Sequence, residues 1–256
     1  MTNQIQYRIC EEGASSKKIT KGCFVHLRIE GSTSKGSSLF SERYWLKIED
    51  EPRQNSLFNA LTKLKLNDSA EIVLPHKLIA ESLVNLPRTQ GVSAKEKVVL
   101  NVRVLRIVDA DIAFDKDYDK FCKLQEQQGQ RFVQQYLDGK GAFAKQQEGI
   151  YAKTLRNGNG KKAEKYGDVM QLYYVGRFLN GTKFDNTAKN GTFRYVRGLQ
   201  FQMIQGIALM LATMSEGEKT LMIIPAKLAF GYKGLADIVP PFTPVVYEIE
   251  VVRVEK

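Results

Sequence analysis

Between Val169 and Val251 the hydrophobic period of the chain runs from strand-like to helical and back, in an order that leaves few folds open. Met170, Leu172 and Tyr174 alternate, the Asn180-Gly181 pair marks a tight hairpin, and Phe193 and Tyr195 alternate again. Met203, Ile204, Ile207, Ala208 and Leu211 then share one face of a short helix, with Gly217 after its exit. Thr220 to Ile224 is a strand stopped by Pro225, and Val245, Tyr247, Ile249 and Val251 alternate strictly, Glu248 and Glu250 facing out. The loop from Ala229 to Pro244 carries two glycines and three prolines and is therefore constrained as well as long. The one acid in an apolar setting is Asp185, beside Phe184, which outlines an apolar pocket and not a hydrolytic centre.

With 256 residues the chain exceeds what one modest core needs, so two domains are expected. The net charge of +10 would suit an acidic partner, yet the lysines and arginines are scattered among acids with no long basic run. A solvated surface accounts for them, and no nucleic-acid partner is expected. Cys10, Cys23 and Cys122 are far apart, without metal spacing, and a single disulfide would leave one thiol over; reduced structural cysteines are the expectation. His26 and His76, the only histidines, lie outside any catalytic or metal-binding pattern, so neither a metal nor a cofactor is implied. No window is apolar enough for a membrane span, and a cytoplasmic chain is expected, with the periplasm or cell envelope as the alternative if a leader has been removed.

The first half, from Ile5 to about Val108, reads as β-rich with one helix. Phe24, Val25, Leu27 and Ile29 form a strand after Lys21-Gly22, and Tyr44, Leu46 and Ile48 form another. Leu57, Ala60, Leu61 and Leu64 fall at helical spacing, with Asn55 or Ser56 as N-cap. Ile72 to Leu74 is a strand ended by Pro75, and Val98 to Ile107 a long closing strand whose alternation slips at Arg106. Between the halves, residues 111–148 are polar, but Phe114, Tyr118, Phe121, Leu124, Phe132, Tyr136 and Leu137 leave an apolar stripe. One long helix is expected there, or two pieces broken near Gly129, serving as a packed element or as a spacer.

Read in order, Gly167-Asp168, Tyr174-Val175-Gly176, Asn180-Gly181-Thr182-Lys183-Phe184-Asp185, Gln205-Gly206, Met214-Ser215-Glu216-Gly217-Glu218, Ala229-Phe230-Gly231-Tyr232 and Ile238-Val239-Pro240-Pro241 resemble the FKBP family, the macrolide-binding immunophilins. The resemblance runs from about Ile150 to the C-terminus, and the first half resembles a decayed copy: Tyr7-Arg8-Ile9, Gly22-Cys23-Phe24-Val25-His26 and Leu66-Asn67-Asp68-Ser69-Ala70 fall in the same order, but the Phe-Asp pair and the later loops have no counterpart. The implied fold is α+β: two FKBP-like domains, each an antiparallel sheet wrapped around a short helix, joined by a helical connector. The implied organisation is a siteless domain over residues 1–110, the connector over 111–148 and an isomerase domain over 149–256.

The implied activity is peptidyl-prolyl cis-trans isomerisation of proline-containing polypeptide clients, without cofactor or metal. By the resemblance, Tyr174, Phe184, Asp185, Phe230 and Tyr247 carry catalysis, and Phe193, Met203, Ile204, Ile207, Leu235 and Ile238 bind substrate. Ile207 would be the floor under the proline ring, the Ile204 N–H would bond a substrate carbonyl, and Leu235 and Ile238 would sit on a flap. A buried carboxylate is costly unless paired, so the Tyr174 hydroxyl is the expected partner of Asp185. Two positions depart from the family: the floor is usually tryptophan, and Phe230 stands where the flap carries a tyrosine. Reduced peptide affinity and poor macrolide binding follow. The alternative is a non-catalytic chaperone or interaction module on the same fold. Taken singly, Phe184, Met203, Ile204 and Tyr247 read as core side chains and Asp185 as a turn residue; the ordered set of motifs makes them a pocket.

Overall fold

The computed structural model describes residues 5–86, 92–109, 118–187, 191–236 and 238–256. It divides into two compact units, Met1–Gln128 and Gly129–Lys256. The first contains β1 (Gln6–Glu11), β2 (Phe24–Thr33), β3 (Ser38–Lys47), α1 (Leu57–Leu61), β4 (Ser69–Pro75), α2 (His76–Ser82) and β5 (Lys97–Val108). The helix α3 (Tyr118–Leu137) holds the dividing point. The second unit contains β6 (Ala144–Lys145), β7 (Tyr151–Arg156), β8 (Val169–Arg177), β9 (Lys183–Asn186), β10 (Phe193–Val196), α4 (Gln205–Leu211), β11 (Lys219–Ile224) and β12 (Val245–Glu255).

Both sheets are antiparallel and share one topology. The order β1-β4-β5-β2-β3 in the first unit is repeated as β7-β11-β12-β8-β10 in the second, with β6 added beyond β7 and β9 paired to β8. A short helix precedes the second strand of each order, α1 before β4 and α4 before β11. The likeness extends to irregularities. Opposite β2, the β5 pairing jumps between Val104 and Arg106; opposite β8, the β12 pairing jumps between Val251 and Arg253. Each jump is a β-bulge, which bends the strand and increases its twist. The slip of alternation at Arg106 is the sequence trace of the first.

The turn into the central strand is built the same way twice. Asn67, at φ 72°, donates to Val104 O at 2.9 Å, while Val104 donates back to Asp68 O at 2.9 Å. In the second unit Gly217, at φ 84°, donates to Val251 O at 2.7 Å, and Val251 to Glu218 O at 2.9 Å. The next carboxylate caps each turn: Asp68 accepts from the Lys65 N–H at 2.7 Å, Glu218 from the Ser215 N–H at 3.0 Å. Against each turn lies a glycine. A methyl on Gly13 would collide with Leu66 O and stand 2.9 Å from the Asn67 carbonyl carbon; one on Gly158 would stand 2.7 Å from Glu216 O.

Several elements differ from the sequence reading. Two helices, not one, belong to the first sheet: Pro75 enters α2 in extended backbone (φ −60°, ψ 138°), and a seven-residue helix is too short to show a period. α1 is capped by Ser56, whose hydroxyl accepts from the Asn59 N–H at 3.1 Å. α3 is one helix, unbroken at Gly129, and buries Phe121, Phe132 and Val133 together with Gln125. Phe114 lies outside the described residues. In the second unit α4 starts at Gln205, so Ile204 is an extended N-cap and Met203 precedes it; the helical spacing of those residues reaches one turn beyond the helix. Cys10, Cys23 and Cys122 are free thiols. Among the described residues no helix is long and apolar enough to cross a membrane.

If the two turns are equivalent supports, Gly13→Ala and Gly158→Ala should each destabilise by roughly 1–3 kcal/mol through overpacking. Hydrogen exchange should show lost protection only in the unit carrying the change; protection lost equally in both units, or in neither, would contradict this.

Candidate active site

Gly176, one residue before the end of β8, pairs with Asp185 of β9 on one side and Tyr247 of β12 on the other. A methyl there would stand 2.9 Å from Phe184 Cζ and 3.0 Å from Tyr247 Cζ, so both rings lie over bare backbone. Around them the rings meet edge-on: Phe184 and Tyr247 at 5.7 Å and 84°, Phe184 and Phe230 at 6.1 Å and 80°. Tyr174, one strand period before Gly176, stands 5.9 Å from the Tyr247 ring and 6.2 Å from Phe193. Such pairs favour edge contact because positive ring edges meet negative faces. Tyr174, Phe184, Phe193, Phe230 and Tyr247 therefore form one aromatic box.

The polar member is Asp185. The Tyr174 hydroxyl donates to its carboxylate, and burial, with the adjacent negative charge, pushes the Tyr174 hydroxyl above its ordinary value. Tyr247 is pushed up further, first by burial and then by Asp185 and Tyr174. Both hydroxyls are therefore neutral donors at physiological pH. Among the described residues no cluster of His, Cys, Asp and Glu could hold a metal ion.

Helix α4 packs against β11. A Cβ on Gly206 would run into the Ile224 side chain, so the helix lies tight against β11 and carries Ile207 inward, 1% exposed. Met203 and Ile204 are half-buried ahead of its first turn. Leu235 and Ile238 lie outside the ring cluster on the exposed loop, which holds its own shape. Leu235 donates to Val239 O at 2.8 Å, Val239 back to Leu235 O at 3.1 Å, and Phe242 to Gly231 O at 2.9 Å. Gly234, at φ 69°, is required there, since a Cβ would strike Val239 O.

Two supporting residues were not found from the sequence. Phe178 is buried and backs the Phe184 ring at 4.9 Å. Thr187 clamps Tyr174, accepting its N–H at Oγ1 (3.1 Å) and donating its own N–H to Tyr174 O (3.1 Å). Their only trace is proximity to the Asn180-Gly181 hairpin, which does not reveal what crosses it.

Comparison with known proteins supplies the family. Residues 160–252 match the family described as FKBP-type peptidyl-prolyl cis-trans isomerase. FK506-binding protein 1 of Candida glabrata is 32% identical over 107 residues, 41% of this chain and 93% of that protein. The peptidyl-prolyl cis-trans isomerase FKBP1A of Xenopus laevis is 30% identical over 108 residues, covering 42% of this chain and 99% of its relative. The chain belongs to the FKBP family. Its activity is that of a peptidyl-prolyl cis-trans isomerase. A macrophage infectivity potentiator of Trypanosoma cruzi is 30% identical over 110 residues, 42% of this chain but only 54% of that longer protein. Among solved structures, the peptidyl-prolyl isomerase of Pseudomonas syringae pv. tomato superposes with a TM-score of 0.46 at 27% identity, over 52% of this chain and 96% of its own.

The other unit of this FKBP-type chain shows how the box is lost. Gly31 pairs with Phe40 and Leu100 as Gly176 pairs with Asp185 and Tyr247, so Phe40 takes the acid's place and Leu100 the tyrosine's. One period earlier Ile29 replaces Tyr174, and Tyr44, opposite Leu27, replaces Phe193, opposite Leu172. Tyr44 is 2% exposed, its hydroxyl accepting from the Asn85 N–H at 3.3 Å, and Leu83, Val84 and Leu86 are buried in the same segment. Ile29 and Leu100 are buried aliphatic side chains at the registers that Tyr174 and Tyr247 hold in the second unit.

Gly176→Ala should displace both rings and lower isomerase activity at least tenfold, a cost of about 1.4 kcal/mol in the transition state, while far-ultraviolet dichroism keeps its sheet signature; unchanged activity would mean the rings do not define the site. A second expectation concerns alkaline pH. Tyr247 has a folded value raised above its unfolded one, so its contribution to stability is complete below about pH 10 and is lost as pH rises toward the folded value. Denaturant unfolding at pH 8 and pH 11 should show Tyr247→Phe losing less stability than the parent over that interval, by about 1.4 kcal/mol; equal losses would contradict it.

Proposed function

We propose that X-Pro amide rotation takes place inside the aromatic box, with Tyr174, Phe184, Asp185, Phe230 and Tyr247 as the catalytic set. Phe193, Met203, Ile204, Ile207, Leu235 and Ile238 hold the substrate. Rotation must overcome a barrier of about 18–20 kcal/mol that arises from amide resonance, and no bond breaks. The planar amide has more charge separation than the twisted one. Removing water from its carbonyl therefore favours the twisted form, and every ~1.4 kcal/mol of that preference gives a factor of ten in rate. The observation that carries the reading is the closed set of rings around a single carboxylate already bonded to the Tyr174 hydroxyl.

In this reading Ile207, buried where α4 meets β11, is the floor beneath the proline ring. Ile204 stands in extended backbone ahead of the helix, so its N–H lies before the helical ladder and is directed to a substrate carbonyl. An isoleucine floor offers less flat surface than an indole, and Phe230 offers no hydroxyl. Proline peptides are accordingly held weakly, and catalysis is slower than with a tryptophan floor. The clients are polypeptides with accessible X-Pro bonds.

Exchange-resolved NMR on an X-Pro tetrapeptide tests the assignment. Phe184→Ala and Asp185→Leu should each lower kcat/KM at least tenfold, the Phe change also costing roughly 2–3 kcal/mol of stability because it opens a cavity under a half-buried ring. Ile207→Trp should tighten peptide binding. Unchanged titrations in all three variants would place the pocket elsewhere.

A further inference from the structure

Arg28, Arg43 and Arg103 are far apart along the chain, but strand register gathers them on the solvent face of the first unit's sheet. Arg43 of β3 stands directly opposite Arg28 of β2, and Arg28 directly opposite Arg103 of β5, so the three form one row across three neighbouring strands. All three are exposed, and at the spacing of paired strands the row spans about 10 Å. Like charges placed directly opposite one another destabilise a sheet. The neighbouring row on the same face avoids this: Ser41, Glu30, Asn101, Glu71 and Arg8 follow one another across the strands, with Arg8 on Glu71 at 3.6 Å. So does the second unit. At the registers of Arg28 and Arg103 it has Tyr173 and Glu250, continued by Lys219 and Arg156, and Arg156 reaches back to Glu250 at 2.7 Å. The shared fold therefore does not require the arginine row.

We infer that Arg28 and Arg103 bind an oxyanion, the phosphate group of a small soluble phosphate ester, in a hollow on this face. The hollow has a volume of about 320 Å³, room for a phosphate and part of the ester that carries it, and Arg28, Arg103, Ser69 and Asn101 line it together with Glu30. A guanidinium offers its donors as a planar fork that matches phosphate, whereas lysine, the commoner cation in this chain, is a point charge. The Ser69 hydroxyl and the Asn101 amide add neutral donors. Four donor groups around one hollow suit a tetrahedral oxyanion better than a planar carboxylate. Two acids stand by. Glu30 accepts from Arg28 Nε at 3.1 Å, holds Nη2 at 3.0 Å and receives the Ser41 hydroxyl at 3.5 Å, which orients Arg28 with its Nη1 side toward a ligand. Glu11 lies 3.6 Å from Arg103 and accepts the Ser69 hydroxyl at 3.4 Å. Ion pairs this exposed contribute little to stability, so a phosphate dianion displaces Glu11 from Arg103 at small cost. The site lies wholly within the first unit and gives that unit, which lacks the ring cluster, a binding role of its own.

The test titrates the whole chain with inorganic phosphate and with glycerol phosphate at fixed ionic strength, followed by amide NMR shifts. The amides of Arg28, Asn101 and Arg103 should move along a saturating curve that sodium chloride does not reproduce. Arg28→Gln with Arg103→Gln should weaken the phosphate Kd about tenfold. Arg28→Lys with Arg103→Lys should weaken it about threefold through loss of the fork, and Arg8→Gln, in the complementary row, less than about twofold. Native amide dispersion certifies the fold of each variant. Shifts that grow linearly and match those in chloride overturn the site, as does full affinity in either double variant or an equal loss in Arg8→Gln. Isomerisation of an X-Pro tetrapeptide by the glutamine double variant should stay within about twofold of the parent; a parallel tenfold loss would tie the arginines to the isomerase site and overturn a separate one. An isomerase assay that fails in the parent leaves the phosphate titration to decide this site alone. Vesicles containing phosphatidic acid that bind the chain when neither soluble phosphate does would overturn the small-molecule assignment.

Discussion

A missing Cβ near the end of a strand makes room for the ring cluster. At Gly176 the vacancy admits the Phe184 and Tyr247 rings, and their edges fix where Tyr174, Phe193 and Phe230 can stand. The first unit keeps the vacancy, at Gly31, yet fills it with the Phe40 ring, whose nearest carbons would lie 2.5 Å from an added methyl. The strand glycine therefore permits a ring over the sheet in both units without specifying a site. What distinguishes the second is the carboxylate on the strand beside the glycine and the hydroxyl that meets it.

That carboxylate is a cost the pocket accepts. An acid among aromatic rings loses hydration, and one hydrogen bond from Tyr174 offsets part of the loss. In exchange the box gains a fixed polar end while its walls remain apolar, and the tyrosines stay neutral because burial and the same negative charge oppose their ionisation. Amide rotation transfers no proton, so on the proposed reading the box needs no titrating group. The histidines and cysteines all belong to the first unit, and the chemistry has no use for them.

Strands with one buried face were legible because period-two alternation survives in them: Val245 to Val251 and Val98 to Val104 read as they pair. The ordered motifs contain Tyr174, Phe184 and Phe230 of the ring cluster, while Phe193 and Tyr247 were read from strand alternation. Other features left no readable trace. A seven-residue α2 has too few turns for a period, and the Ile204 N-cap looks helical because spacing cannot tell the last extended residue from the first helical one. Phe178 and Thr187 support the site across a hairpin, so their partners depend on register, which composition does not encode. Gln125, a polar residue buried in α3, breaks the rule that polarity marks the solvent face.

The two units together separate what the scaffold needs from what the site needs. Both keep the paired turn bonds at Val104 and Val251, the capping carboxylates Asp68 and Glu218, and a bulge at the same place in the closing strand. These features shape the sheet and the turn into its central strand, so they belong to the scaffold that both units share. The box residues are not under that constraint: Ile29, Phe40 and Leu100 occupy their registers in a unit whose interior is as closed as the other's. Replacing Tyr174 and Tyr247 by aliphatic residues removes two hydroxyls that must be satisfied, and exchanging Asp185 for an aromatic ring removes a charge that must be paired. The first unit is thus the less demanding solution to the same fold, and the second keeps a carboxylate and two tyrosines that the fold itself does not require.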